Sequence, residues 1–124
     1  MKTDLQEIQQ SLHDLLKVHS PLLQVRVHSD KNFEVAGTKT VMQGKQKVDG
    51  HYFASVMPKP KDIRLYFFPI YTHVDSFGPL SETLQKCLKG KSCFHIKKLT
   101  PEMETEIAEL IKKGVTLYQK DQLI

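Results

Sequence analysis

Apolar residues fall at helical spacing at the start of the chain and at strand spacing soon after. Leu5, Ile8, Leu12, Leu15 and Leu16 lie on one stripe, with Glu7, Gln10, Asp14 and Lys17 facing elsewhere. That pattern predicts an amphipathic helix over residues 3–19. Thr3 and Gln6 have capping-box spacing, and Pro21 helps end the helix. Leu23, Val25 and Val27 then alternate with Gln24, Arg26 and His28, the period of a half-buried strand. Ser29 to Asn32 read as a turn, and Phe33 with Val35 begin a return strand. Residues 38–50 are polar, with Gly44, Gly50 and several lysines, and suggest a strand extension or a hairpin arm.

A second strand pair is predicted at His51–Met57 and Ile63–Phe68, around the turn Pro58-Lys59-Pro60-Lys61-Asp62. The latter strand is apolar or aromatic on both faces, as a central strand would be, and Pro69 ends it. Ser81 can cap a short helix that turns Leu84, Cys87 and Leu88 inward, with Gly90 as its terminator. Phe94 and Ile96 alternate with Cys93, His95 and Lys97 in a last strand. Thr100-Pro101 opens a final helix whose stripe is Met103, Ile107, Leu110, Ile111, Leu117 and Tyr118. The order of elements predicts a two-layer α+β fold. Its sheet, mainly antiparallel and of about five strands, carries helices on one face.

The chain of 124 residues suits one domain spanning residues 1–124. Its longest apolar run, Leu65 to Phe68, is far too short to cross a bilayer, which argues against a membrane partner. The first residues lack the apolar stretch of a signal peptide, so a cytoplasmic setting with reduced Cys87 and Cys93 is expected. Eighteen basic and fourteen acidic residues leave a net charge of +4, a mild excess for a nucleic-acid binder. The distribution says more than the total. Lys86, Lys89, Lys91, Lys97 and Lys98 fall in a stretch without an acid, followed by Glu102, Glu104, Glu106 and Glu109 without a base.

Gly90-Lys91-Ser92 is not a phosphate-binding loop, because Gln85 stands where its first glycine belongs and the strand–helix order is reversed. Cys87, Cys93 and His95 have no common zinc spacing. Cys93 beside His95 on one strand face is a weak nucleophile pair without an orienting carboxylate, so the reading leans away from an enzyme. Glu102, Glu106 and Glu109 line one side of the last helix, where oxygen ligands could hold iron. Acids at a helix start and lysines near its end also suit the helix dipole unaided, and that is the favoured account of the ridge.

The outward sheet positions carry the strongest signal. Arg26, His28, Arg64, His95 and Lys97 alternate outward from apolar partners, with Tyr66 and Phe68 beside Arg64. Such a basic and aromatic surface suits a small anion or an acidic protein partner, and a nucleic-acid strand less well. Tyr71, His73 and Lys91 would form its rim, with no cofactor needed.

The segments Tyr66-Phe67-Phe68-Pro69-Ile70-Tyr71-Thr72-His73 and Leu88 to Leu99 resemble the YdhG-like family, a bacterial domain of unknown function. The opening Asp49-Gly50-His51-Tyr52-Phe53-Ala54 and the helix after Thr100 fit too, so the resemblance spans residues 4–119. It implies a small cytoplasmic α+β domain. Some members are described as frataxin-like iron chaperones, which implies iron on the Glu102, Glu106, Glu109 ridge as the alternative function. The family's Lys-Trp-x-Met-Pro stretch has no counterpart here; Glu34 to Thr38 occupy roughly that region.

Overall fold

A computed structural model describes residues 1–43 and 45–124. The first helix, α1 (Leu5–Lys17), starts one residue later than the capping-box spacing suggests: the Asp4 side chain, not Thr3, accepts from the Glu7 amide. Eight strands in two sheets follow among the described residues. Six of them, β1 (Gln24–Ser29), β2 (Asn32–Ala36), β5 (Tyr52–Pro58), β6 (Ile63–Phe67), β7 (Leu88–Lys89) and β8 (Cys93–Ile96), form one antiparallel sheet. Its order is β1-β2-β5-β6-β8-β7, which puts β6 inside the sheet, as its two-sided apolar pattern requires. The other two, β3 (Val41–Gln43) and β4 (Gln46–Val48), pair as the polar hairpin arm; Gly44 in its turn lies outside the described residues.

Pro69 ends β6 and opens a short helix, α2 (Pro69–Thr72), followed by a 3-10 turn at Val74–Ser76. Ser81 caps α3 (Glu82–Cys87) by accepting from the Leu84 amide. Gly90 is not that helix's terminator. Leu88 is already extended, and Gly90, at φ +66°, turns the tight β7–β8 hairpin instead. Thr100 caps α4 (Pro101–Lys120) as the Thr-Pro pair predicts. No helix is long and apolar enough to cross a membrane among the described residues.

One core fills the space between α1, α4 and one face of the sheet. Ile8, Leu12 and Leu16 of α1 meet Phe33, Val56, Leu65, Phe67 and Phe94, all buried. On α4, Met103, Ile107, Ile111, Val115 and Tyr118 are buried, while Leu110 and Leu117 are only half-buried. Gly114 lies on the same buried face of α4, between Ile111 and Tyr118. A Cβ there would lie 2.9 Å from the Phe67 ring tip and 3.1 Å from those of Phe53 and Pro69, so α4 packs close to the sheet.

Strand β1 departs from its sequence pattern. Its register jumps from Val25↔Val35 to Val27↔Glu34, leaving Arg26 as an extra residue in a bulge. Alternation resets at that point. Val27 faces away from the helices and His28, opposite Phe33, faces toward them, the reverse of the expected arrangement. Val25 and Val27 are exposed at the sheet edge.

Candidate functional site

The face opposite the helices is built from two cross-strand rows. One runs Glu34, Ser55, Tyr66, Cys93 across β2, β5, β6 and β8; the next runs Met57, Arg64, His95. Arg64, Tyr66 and His95 are therefore neighbours, as the alternation predicted. Arg26 is not. Strands β2 and β5 separate β1 from β6, about 14 Å at the usual strand spacing. Its guanidinium is also occupied: Nη2 lies 2.8 Å from Glu34 Oε2, and Nη1 donates to the Gly50 carbonyl at 3.0 Å. Together with Gln24, whose amide donates to the Gly37 and Asp49 carbonyls, Arg26 ties down the base of the hairpin arm. Gly50 stands there at φ +147°, where a Cβ would be 2.3 Å from the Gly37 oxygen.

At the other side of the sheet the cations gather. Asp62, buried at the start of β6, accepts from Arg64 Nε at 3.2 Å and lies 3.8 Å from His95 Nδ1. Beyond them opens a cleft of about 650 Å³ between the end of β8, α3 and the first turn of α4. Lys97 and Lys98 come from the β8 end, Lys86 from α3 and Lys89 from β7; His95 and Asp62 line the sheet side, and Met103 gives an apolar patch. Lys86 is within 3.3 Å of Glu82, an exposed pair of little energetic weight. Four lysines against Asp62 and Glu82 leave a local charge of +2 with imidazole neutral, so the cleft attracts anions.

The remaining expected residues lie elsewhere. Tyr71 and Lys91 meet in a second, smaller pocket of about 350 Å³ with Ile70 and Val74, the Lys91 ammonium 5.3 Å from the Tyr71 ring centre. His73 is held between Asp121, 2.5 Å from Nε2, and Thr72, 2.7 Å from Nδ1. It closes the C-terminal end of α4 onto α2 and does not line either pocket.

Glu102, Glu106 and Glu109 do not assemble into a metal centre. Glu106 is spent on Ser81, accepting from its amide at 2.9 Å and its hydroxyl at 2.6 Å, which docks α3 against α4. Among the described residues, no group of three or more His, Cys, Asp or Glu side chains is placed to hold a metal ion. Burial raises the thiol pKa of Cys87, against the weaker pull of Lys89 and Lys98, and that of Cys93, against a Tyr66 hydrogen bond and the pull of Arg64, which disfavours the thiolate at both.

Two features of the cleft escaped the sequence. In sequence Asp62 belongs to the turn before β6, and its carboxylate reveals its role only where β6 and β8 are adjacent. Lys86 and Lys89 belonged to a charge run whose faces could not be separated before β7 was known to pair with β8. Comparison of the chain with family models, with curated proteins and with solved structures finds no match.

Proposed function

We propose that this chain is a small cytoplasmic binding domain, not a catalyst, that takes an anionic ligand on the basic edge of its outer sheet face. The observation that carries this reading is the cleft where Lys86, Lys89, Lys97 and Lys98 converge beside His95. Its volume is in the range of small-molecule sites, and Met103 and the Thr83 side chain offer contacts to the uncharged part of a ligand. Arg64, fixed by Asp62, adds positive field from the neighbouring row, and Tyr66 beside it offers a ring face. Tyr71 and Lys91 form a separate accessory pocket in this scheme. Membership of the YdhG-like family, on the motifs at 66–73 and 88–99, is part of the same proposal and agrees with the α+β architecture.

The test is a titration of the protein with inorganic pyrophosphate and with a nucleoside triphosphate, followed by backbone amide shifts. Shifts should concentrate on residues 82–89 and 95–98, and weaken as salt is raised. Lys97→Ala combined with Lys98→Ala should lower the affinity at least tenfold. Unchanged affinity in that variant would place the ligand elsewhere, and an absence of binding at millimolar anion would reject the reading.

A further inference from the structure

A different part of the molecule places two imidazoles together, one of them buried with a nitrogen that has no partner among the described residues. His13 sits on the third turn of α1 and is 7% exposed, stacked on the Phe33 ring with centroids 4.4 Å apart. His28, turned to the helix side by the Arg26 bulge, packs edge-on against the same Phe33 ring at 5.3 Å. The two imidazole centroids are 6.1 Å apart, with planes at 80°. His13 Nε2 is buried and has no hydrogen-bond partner among the described residues. A buried polar atom without a partner is uncommon in a folded protein and calls for an explanation.

Beside the pair lies a polar cleft of about 380 Å³ between α1 and the β1–β2 turn, lined by both histidines. Lys17 and Asp30 also face it, so its formal charge cancels. Gln9 and Gln10 on the same wall use their amide nitrogens on Asp30 O and Asp14, which leaves their side-chain oxygens as acceptors.

We propose that His13 and His28 form a two-imidazole site for a borderline transition-metal cation, Cu(II) or Zn(II), with water completing the coordination. A metal–nitrogen bond of about 2.0–2.1 Å puts each ring centroid about 3.2 Å from the ion. Two such rings are about 5.2 Å apart at a tetrahedral angle and about 6.4 Å apart when opposed, which brackets the observed 6.1 Å. His28 is exposed and can turn its ring to present a nitrogen, while His13 is held by Phe33. Imidazole donors favour these ions over Mg(II) and Ca(II), and Cu(II) should bind more tightly than Zn(II).

The experiment is a Cu(II) and Zn(II) titration of the whole protein, with proton spectra of the six histidine rings. One equivalent of Cu(II) should broaden the ring signals of His13 and His28 before those of His19, His51, His73 and His95. His28→Gln, a surface change, should weaken binding at least tenfold; Lys97→Ala with Lys98→Ala, in the other cleft, should leave it unchanged. His13→Gln should do the same as His28→Gln if it folds, and the His28 variant carries the test if it does not. Earliest broadening at another histidine, unaltered affinity in His28→Gln, or no binding at sub-millimolar metal would each overturn the proposal.

Discussion

The Nδ1 nitrogen of His51 lies 3.0 Å from the hydroxyl of Tyr118, joining the approach to β5 with the last turns of α4. Tyr118 donates its one hydroxyl proton to the Tyr52 carbonyl, so its oxygen is left to accept from His51 Nδ1–H. The chain His51, Tyr118, Tyr52 satisfies a buried phenol inside the aromatic cluster it shares with Phe53. Burial raises the Tyr118 pKa strongly, so the hydroxyl stays a donor at any physiological pH. Tyr118→Phe should cost about 1–3 kcal/mol, because it removes both hydrogen bonds of the hydroxyl and takes a donor from the Tyr52 carbonyl and an acceptor from His51. Urea unfolding measures this directly; a variant as stable as the parent would remove the network from the account.

The same histidine gives the fold a pH dependence of known sign. Burial lowers the pKa of His51 below 6.5, with His73 pushing the same way and Asp121 and the Tyr52 carbonyl opposing. His19 is lowered too, by burial first and then by Lys112. Below pH 6.5 the unfolded chain therefore binds more protons than the folded one at these sites. Stability is fully present above pH 6.5 and is lost as the pH falls through 6.5 toward the lowered folded values. Between pH 7 and 5.5, before the carboxylates titrate, the melting temperature should fall, and His51→Gln should make that fall smaller. A melting temperature that rises on acidification would contradict the burial argument.

Gly114 tests how closely α4 approaches the sheet. Alanine is favoured over glycine inside a helix by about 1 kcal/mol. Against that, the new methyl would press on Phe67, Phe53 and Pro69 at 2.9–3.1 Å, two of them rings fixed in the core. Overpacking of this kind costs about 1–3 kcal/mol. Gly114→Ala should therefore destabilise by up to about 2 kcal/mol, and a gain in stability would mean that the helix stands further off.

Much of this architecture is legible in the chain because local chemistry and burial agree there. The stripes of α1 and α4, the Thr100-Pro101 and Ser81 starts, and the two-sided apolar run of β6 all reappear. The failures have one cause each. A one-residue bulge at Arg26 reverses every later position of β1, and hydrophobic periodicity carries no mark of a bulge in an exposed edge strand. Gly90 looks alike as a helix terminator and as a hairpin turn, since both use positive φ. Alternation alone presents the outer sheet face as one surface, but strand order divides it. Arg64, Tyr66, His95 and Lys97 stay on one side, and Arg26 falls on the other. Strand order rests on long-range pairing, which no local window contains.

That division makes Arg26 informative. With its guanidinium shared between Glu34 and the Gly50 carbonyl, it is a clamp for the hairpin arm and not a ligand contact. Arg26→Ala should loosen residues 38–50, read as faster amide exchange there, while leaving pyrophosphate affinity unchanged. Weakened anion binding in that variant would restore a ligand surface spanning the whole sheet.

Asp62 separates attraction by field from attraction by individual lysines. It is the buried acid in the cleft, held by Arg64 and close to His95, and it offsets one of the surrounding positive charges. Removing that negative charge without changing its shape should favour an anion. A unit charge about 6 Å away contributes about 0.7 kcal/mol even at the dielectric of water, roughly threefold in affinity. Asp62→Asn should therefore bind pyrophosphate roughly threefold more tightly, opposite in sign to the lysine variants, with the difference shrinking as salt is added. The same change removes the charge that orients Arg64, so some loss of thermal stability should accompany the gain in affinity. Tighter binding together with lower stability is the signature of an acid that shapes the cleft while opposing its ligand. Weaker binding would instead mean that Asp62 acts through the positions of Arg64 and His95, and that those two side chains, not the lysine field, make the decisive contacts.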